Sequence, residues 1–212
     1  MTLTQLLFFL ACALVFGVVL RGRGRGWLLL ILSLLAVYWL QPSTPIRYLD
    51  FWLPTGSIAI AIFVWTATNR PIPETRRLTW ITGAAAAGVM LLASLLRYTE
   101  PVCCLTPTRP PDLVTAALGV ALLAILAGLL LRFGSGKPVL AAGFVGGLLL
   151  LFIVLKTEPL ALAASLGLRA VSGQTASLAT GFDIRWLGFS YIAFRLLHVL
   201  RDHQSGKPNQ LN

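Results

Sequence analysis

The chain has 212 residues, of which 57% are hydrophobic and only 11% are charged, and its mean hydropathy is +0.83. A water-soluble globule of this composition would expose far too much apolar surface, so the composition excludes that class and predicts a polytopic membrane protein. The net charge of +10 does not indicate a nucleic-acid partner, because the basic residues sit in short gaps between apolar runs and form no separate basic domain.

The first half of the chain predicts four membrane spans, at Leu3–Leu20, Trp27–Leu40, Thr55–Thr68 and Leu78–Leu96. No positive residue precedes the first run and three arginines follow it, which is the reverse of a secretory signal peptide. That arrangement predicts a permanent helix with its N-terminus outside. The amphipathic stretch Ile46–Pro54 is predicted to lie in the outer interface, with Tyr48, Phe51 and Trp52 as anchors.

The second half predicts three further spans, at Asp112–Leu131, Val139–Leu155 and Ile184–Leu200. Between the last two, Pro159–Val171 is predicted to form one helix in the outer interface. Small residues predict faces for close helix packing in two places, from Gly83 to Gly88 and at Gly143 with Gly147.

Charge distribution between the predicted loops sets the orientation. The inner loops hold ten basic and two acidic residues, a net of +8, whereas the outer segments hold six basic and five acidic, a net of +1. Because positive residues favour the cytoplasmic side, we expect an all-α, seven-span protein with its N-terminus out and its C-terminus in. Residues 1–212 then form a single transmembrane domain in the lipid bilayer, with 201–212 as a cytoplasmic tail.

One polar stripe interrupts the last apolar run. Tyr191, Arg195, His198 and Asp202 follow each other at spacings of four, three and four, which places them on one helical face. A guanidinium inside an apolar run costs on the order of a few kcal/mol if it faces lipid, so Arg195 should face protein or water and is a candidate functional residue. The alternative is that Arg195 snorkels, or joins helices through carbonyl groups and Asp202.

The sequence contains few other residues that could form a metal site or a catalytic site. The only histidines, His198 and His203, do not share the helical face that one metal ion requires, so we expect no metal site. The neighbouring Cys103 and Cys104 have no histidine or further cysteine near them and are interpreted as incidental loop residues. His198 and Asp202 are one turn apart and are better suited to an orienting ion pair than to a catalytic dyad.

The octamer Gly188-Phe-Ser-Tyr-Ile-Ala-Phe-Arg195 resembles the G-[IF]-S-[YF]-x-[TA]-F-[RQ] signature of the membrane-bound O-acyltransferase family. It is most similar to the bacterial branch that includes alginate O-acetylases and the teichoic-acid D-alanyl transfer protein. Phe51–Pro54, which reads FWLP, is comparable to a stretch in the earlier spans of those enzymes. The resemblance covers roughly the N-terminal half of such an enzyme and implies an N-terminal portion of that fold.

The resemblance also implies a function and site residues. Full-length relatives transfer an acyl group from a cytoplasmic thioester, acyl-CoA or acyl carrier protein, to an extracytoplasmic hydroxyl, with no bound cofactor. Their catalytic histidine lies in a later W-H-x-[ST] segment that this sequence does not contain, so no catalytic residue is assigned and His198 does not take that role. The residues carried over as lining the acyl-transfer tunnel are Gly188, Ser190, Tyr191, Phe194 and Arg195.

Two consequences follow for partners and for competing functions. We expect this chain to be inactive alone and to require a C-terminal half or an extracytoplasmic acyl-transfer partner. The competing classes are a small transporter or channel that uses Arg195 to bind an anion, and a structural membrane subunit without a site. Inverted repeats would favour transport, and the first three spans show no convincing similarity to the later ones.

Overall fold

A computed structural model describes residues 3–19, 23–68, 73–99, 106–133 and 138–204 of the chain. The regular structure of these residues is entirely helical, which confirms the predicted all-α class. The α-helices are α1 (Leu3–Val19), α2 (Arg23–Trp39), α3 (Leu49–Thr68), α4 (Pro73–Leu95), α5 (Leu113–Phe133), α6 (Pro138–Lys156), α7 (Glu158–Val171) and α8 (Phe189–Gln204). Two short 3₁₀ turns accompany them, Leu96–Tyr98 and Ala176–Leu178.

Helix α3 lies at the centre of the bundle. It packs against α2, α4, α5, α6 and α8, and its residues contribute to three apolar clusters. Phe51 and Ile58 join side chains from α2, α4 and α5, whereas Val64 joins the cluster formed with α6 and α8. Leu49 and Leu53 pack beneath the loop that leads into α8. Helix α3, which contains the predicted third span, is therefore the most enclosed of the described helices.

The outward face of α5 is apolar. On α5, large aliphatic side chains at helical spacing are exposed along its whole length: Val114, Leu118, Leu122, Ile125 and Leu129. A stripe of this size is unstable in water and is matched by the hydrocarbon of a bilayer. The structure therefore supports the membrane assignment made from composition.

Length and composition identify fewer crossings than the sequence predicted. Within the described residues two helical segments are long and apolar enough to cross a membrane, Trp80–Tyr98 and Leu113–Leu130. A third is counted if Gly143–Lys156 and Glu158–Val171, which meet at 95°, together form one span. Shorter apolar helical segments are Leu10–Val19, Gly24–Trp39, Leu49–Val64 and Phe189–Val199.

Polar contacts bring three loops together at one end of the bundle. Gln41 donates from Nε2 to the carbonyl oxygen of Arg185 at 2.6 Å, and the backbone N–H of Arg47 donates to Oε1 of Gln174 at 2.9 Å. The backbone N–H of Thr108 donates to Asp50 Oδ2 at 2.8 Å. The segments after α2, after α4 and after α7, all predicted to be outside, therefore meet at the same end.

The prediction of a separate interfacial segment at Ile46–Pro54 is wrong. Helix α3 begins at Leu49 and continues through Pro54, and Phe51 and Leu53 are buried in the bundle core. A proline near the start of a helix removes few intrahelical hydrogen bonds, so it does not end α3. Burial of the Phe51 side chain stabilises the first turn of α3 inside the bundle rather than at its surface.

The two predicted small-residue faces differ, because Ala86 in the Gly83–Gly88 stretch is buried in the core, whereas the face at Gly143 and Gly147 is open. Gly143 and Gly147 are exposed, and a Cβ atom at either position would meet nothing within 4 Å among the described residues. Gly83 is also open on its outer side, and it lines a shallow apolar groove between α3, α4 and α5. The close approach occurs instead at Gly119, where the indole of Trp52 lies against the α5 backbone.

Candidate functional site on the eighth helix

Helix α8 begins later than the apolar run that predicted it. The prediction started the helix at Ile184, whereas residues 184–188 are irregular and the first helical residue is Phe189. Gly188 precedes the helix with a φ of +73°, a conformation that glycine adopts without strain, and its carbonyl oxygen accepts the N–H of Ile192 at 3.0 Å. The glycine of the octamer therefore turns the chain into α8.

The inward face of α8 is firmly packed. Phe189 and Ala193, one turn apart, are buried in the cluster that includes Val64 of α3 and Leu148 of α6. The indole of Trp186 lies 4.4 Å from the Phe189 ring, measured between ring centroids. It also donates from Nε1 to Ser57 Oγ of α3 at 2.8 Å. These contacts fix the rotation of α8 about its axis.

The outward face carries the predicted polar stripe. Tyr191 is 73% exposed and Phe194 is 54% exposed, and Arg195 and His198 are exposed beside them. Ser190 is half-buried at the edge of this face. The side chain of Asp202 lies outside the described residues, although its backbone continues the helix. The structure thus brings Tyr191, Phe194, Arg195 and His198 onto one surface of the chain.

Arg195 is exposed on this surface. Its guanidinium is not enclosed by other helices, and the described residues offer it no hydrogen bond or ion pair. The packed neighbour on this face is aromatic, because Phe194 meets Phe152 of α6 edge-on with ring centroids 5.7 Å apart. The stripe is therefore an open wall rather than a closed pocket.

A second polar residue that was not predicted as a site, Asp50, lies in the first turn of α3. The side chain of Asp50 is fully buried, and its Oδ2 accepts both the N–H and the hydroxyl of Thr108, at 2.8 and 2.7 Å. Its Oδ1 is the buried side-chain oxygen without a hydrogen-bond partner in the described part of the chain. Tyr48, two residues earlier, has a φ of +62°, so this helix start is strained. An acidic residue inside the IRYLDFWLP run was the available sequence signal.

A buried ion pair holds the loop between α7 and α8 against α7. Arg169 donates from Nε to Asp183 Oδ2 at 2.8 Å, and the two side chains are only 7% and 5% exposed. Ser165 donates to the same oxygen at 2.6 Å, and the Thr180 hydroxyl donates to Oδ1 at 2.6 Å. Burial alone would raise the pKa of Asp183, but the hydrogen bonds from Ser165, Thr180 and Arg169 outweigh it and hold the pKa below its ordinary value.

This ion pair determines which face of α7 is exposed. Ala161, Ser165 and Arg169 lie on the buried face of α7, beneath the loop, whereas Leu160, Leu166 and Val171 are exposed. The helix predicted at Pro159–Val171 is thus present, one residue longer at its start. Its polar side is covered by protein and its apolar side is open, which suits a helix lying in the membrane interface.

Metal-binding side chains do not cluster in the described residues, where no group of three or more His, Cys, Asp or Glu could hold an ion. Cys103 and Cys104 lie outside the described residues. A scan against protein-family models found no match to the chain, and neither did searches of curated proteins and of solved structures.

Proposed function

We propose that the chain is a seven-span protein of a bacterial inner membrane, with its N-terminus out and its C-terminus in. The spans are α1 to α6 and α8, and α7 lies in the outer interface. The net charge of +8 on the predicted inner loops supports this orientation. The meeting of the three predicted outer loops at one end of the bundle supports the alternation of the spans.

We propose further that the chain is a component of a membrane-bound O-acyltransferase. One observation carries this proposal: the two stretches that resemble the family are far apart in sequence, but residues that flank them are in contact. Trp186, just before the octamer, donates to Ser57, just after the FWLP stretch, at 2.8 Å, and it packs against Leu53. Resemblances that arose by chance would have no reason to be neighbours.

In this proposal the outward face of α8 forms part of the wall of an acyl-transfer tunnel. Gly188 sets the start of the helix and Ser190 lies at the edge of that face, which presents Tyr191, Phe194 and Arg195. The thioester donor, acyl-CoA or acyl carrier protein, enters from the cytoplasm, and the hydroxyl acceptor lies on the other side.

Transfer breaks the acyl C–S bond and forms an ester C–O bond, while a histidine base takes the hydroxyl proton and passes it to the departing thiolate, which leaves as the free thiol. In this proposal a partner that carries the W-H segment supplies that histidine. His198 is exposed on the outward face and is one turn from Asp202 along the helix, and it lacks the W-H context. The chain therefore supplies scaffold and tunnel wall, and its partner supplies the base.

The test measures acyl transfer in membranes that contain the purified chain, a radiolabelled acyl-CoA or acyl carrier protein and a hydroxyl acceptor. We expect no transfer by the chain alone, and transfer when a W-H-containing C-terminal half of an acyltransferase is co-expressed. A matched control carries Arg132→Gln on α5, far from the octamer. Histidine-dependent transfer by the chain alone, abolished by His198→Ala, would contradict the proposed division of roles.

A wet tunnel also distinguishes this proposal from a plain structural subunit. In a variant without its three native cysteines, Arg195→Cys should react with small water-soluble thiol reagents in the assembled complex. Leu122→Cys on the lipid-facing side of α5 is the control and should not react. Equal, negligible labelling at both positions would favour a structural subunit.

A further inference from the structure

The exposed faces of α5 and α8 differ in chemistry. The outward stripe of α5 is aliphatic from Val114 to Leu129, as expected of a surface in contact with lipid. The outward face of α8 instead presents Tyr191, Arg195 and His198 over two turns. Two helices of one bundle therefore expose surfaces that suit different surroundings.

Arg195 lies well inside the span. It is six residues after Phe189, which is roughly 9 Å along the helix axis at 1.5 Å per residue. At nearly the same level Phe194 contacts Phe152, which is four residues before the end of α6. A guanidinium at this level is poorly solvated by hydrocarbon, so intramembrane arginines pair with a protein group or face water.

A second copy of this chain does not provide that group. A dimer with its twofold axis along the membrane normal holds equivalent residues at the same depth, so Arg195 would oppose Arg195 across such an interface. The acidic residues that the structure describes all lie in loops or near helix ends: Asp50, Glu74, Asp112, Glu158, Asp183 and Asp202. Asp202 is seven residues beyond Arg195, roughly 10 Å along α8.

We propose that the outward face of α8 is a docking surface for a transmembrane helix that carries a carboxylate at the depth of Arg195. A carboxylate accepts two parallel hydrogen bonds from a guanidinium, a pairing that fixes orientation as well as position. The aromatic pair Phe194 and Phe152 supplies the apolar contact beside it. This docking surface rests on the proposed membrane crossing of α8 and not on acyl transfer, and such a helix would close the proposed tunnel on the side that α8 leaves open.

The experiment measures energy transfer in lipid vesicles between the labelled full-length chain and labelled synthetic helices. Each helix is a leucine 20-mer flanked by lysines, with one central Glu, one central Leu, or one Glu near an end. We expect the central Glu helix to associate about tenfold more tightly than the Leu helix, since interhelical polar contacts in membranes have effects of this order. The helix with a terminal Glu should show little of this preference.

Variants of the chain test whether Arg195 is the partner of that carboxylate. Arg195→Gln should remove the preference for the central Glu, and Arg195→Lys should retain part of it because the charge remains. Arg185→Gln is the matched control, since Arg185 is exposed in the loop before α8, and it should leave the preference unchanged. Native-like melting of each variant shows that a lost preference does not reflect unfolding.

Two results would overturn the proposal. One is an equal affinity for the Glu and Leu helices, which would mean that Arg195 is already satisfied by lipid headgroups or water. The other is a preference for Glu that persists in Arg195→Gln. Because no acyl donor is present, either result leaves the acyltransferase proposal standing, and absence of acyl transfer leaves this docking surface standing.

Discussion

Removal of the Asp183 carboxylate should open the loop between α7 and α8. In Asp183→Ala the guanidinium of Arg169 stays on the buried face of α7 but loses its acceptor, and Ser165 and Thr180 lose theirs. Breaking a buried ion pair by deleting one partner costs about 3–5 kcal/mol, because an uncompensated charge remains. That is enough to populate an open loop while the spans remain folded.

The assay is limited proteolysis of the chain in detergent micelles, followed by mass spectrometry of cuts in residues 172–188. Asp183→Ala should be cut in this segment on the order of 100-fold faster than the parent, since 1.4 kcal/mol corresponds to a factor of ten when opening is rapid. Gln174→Ala is the control, because it removes only the exposed hydrogen bonds to Arg47 and Pro45 and should change the rate by less than about tenfold.

A double variant separates the ion pair from the packing around it. Arg169→Met/Asp183→Leu removes both charges and keeps apolar volume, so it should be cut far more slowly than Asp183→Ala. The reasoning is refuted if Asp183→Ala behaves like Gln174→Ala, or if the double variant opens more readily than the single one.

Two further predictions concern the same framework. Gly119→Ala should destabilise the bundle by about 1–3 kcal/mol in thermal unfolding, because Cζ3 of Trp52 would lie 2.8 Å from the new Cβ, whereas Gly128→Ala on the same helix meets open space and should be neutral or slightly stabilising. Equal effects at the two glycines would contradict the close contact. Lowering the pH should open the loop at Asp183: its pKa is depressed in the folded state, so its stabilisation is present above the ordinary pKa of about 3.9 and is lost as the pH falls below that value. Asp183→Asn should lack this acid dependence in the proteolysis assay.

The sequence predicted those helices that depend on local patterns of residues. Long apolar runs predicted the helices, and Pro159–Val171 was recognised as a separate helix because of its proline start and intermittent apolar residues. The start of α8 was placed five residues early, since apolar content cannot reveal that Gly188 adopts a left-handed conformation. The third span was predicted to start at Thr55 because Ile46–Pro54 is amphipathic, whereas α3 begins at Leu49 and continues through Pro54.

Contacts between residues that are far apart along the chain could not be predicted from the sequence. The hydroxyls of Tyr38 and Thr55 form a hydrogen bond of 2.7 Å, and nothing local in the sequence indicates that these two residues meet. The pairs Arg169 with Asp183 and Asp50 with Thr108 likewise depend on how loops fold over helix ends. The stripe of α8 was predictable because helical periodicity alone places Tyr191, Arg195 and His198 together. Its exposure was not, since that depends on which helices surround α8.

The measurement that tests the account most directly is the sidedness of the loops, because the proposed tunnel, the proposed donor side and the proposed depth of Arg195 all depend on it. Reporters of cytoplasmic or external location are fused in turn after five residues of the chain in a bacterial host. Fusions after Gly26, Arg77 and Gly136 should report the cytoplasm, and those after Thr106 and Gly173 should report the outside. An external signal at Gly136 would contradict the seven-span arrangement and the orientation of α8 with it.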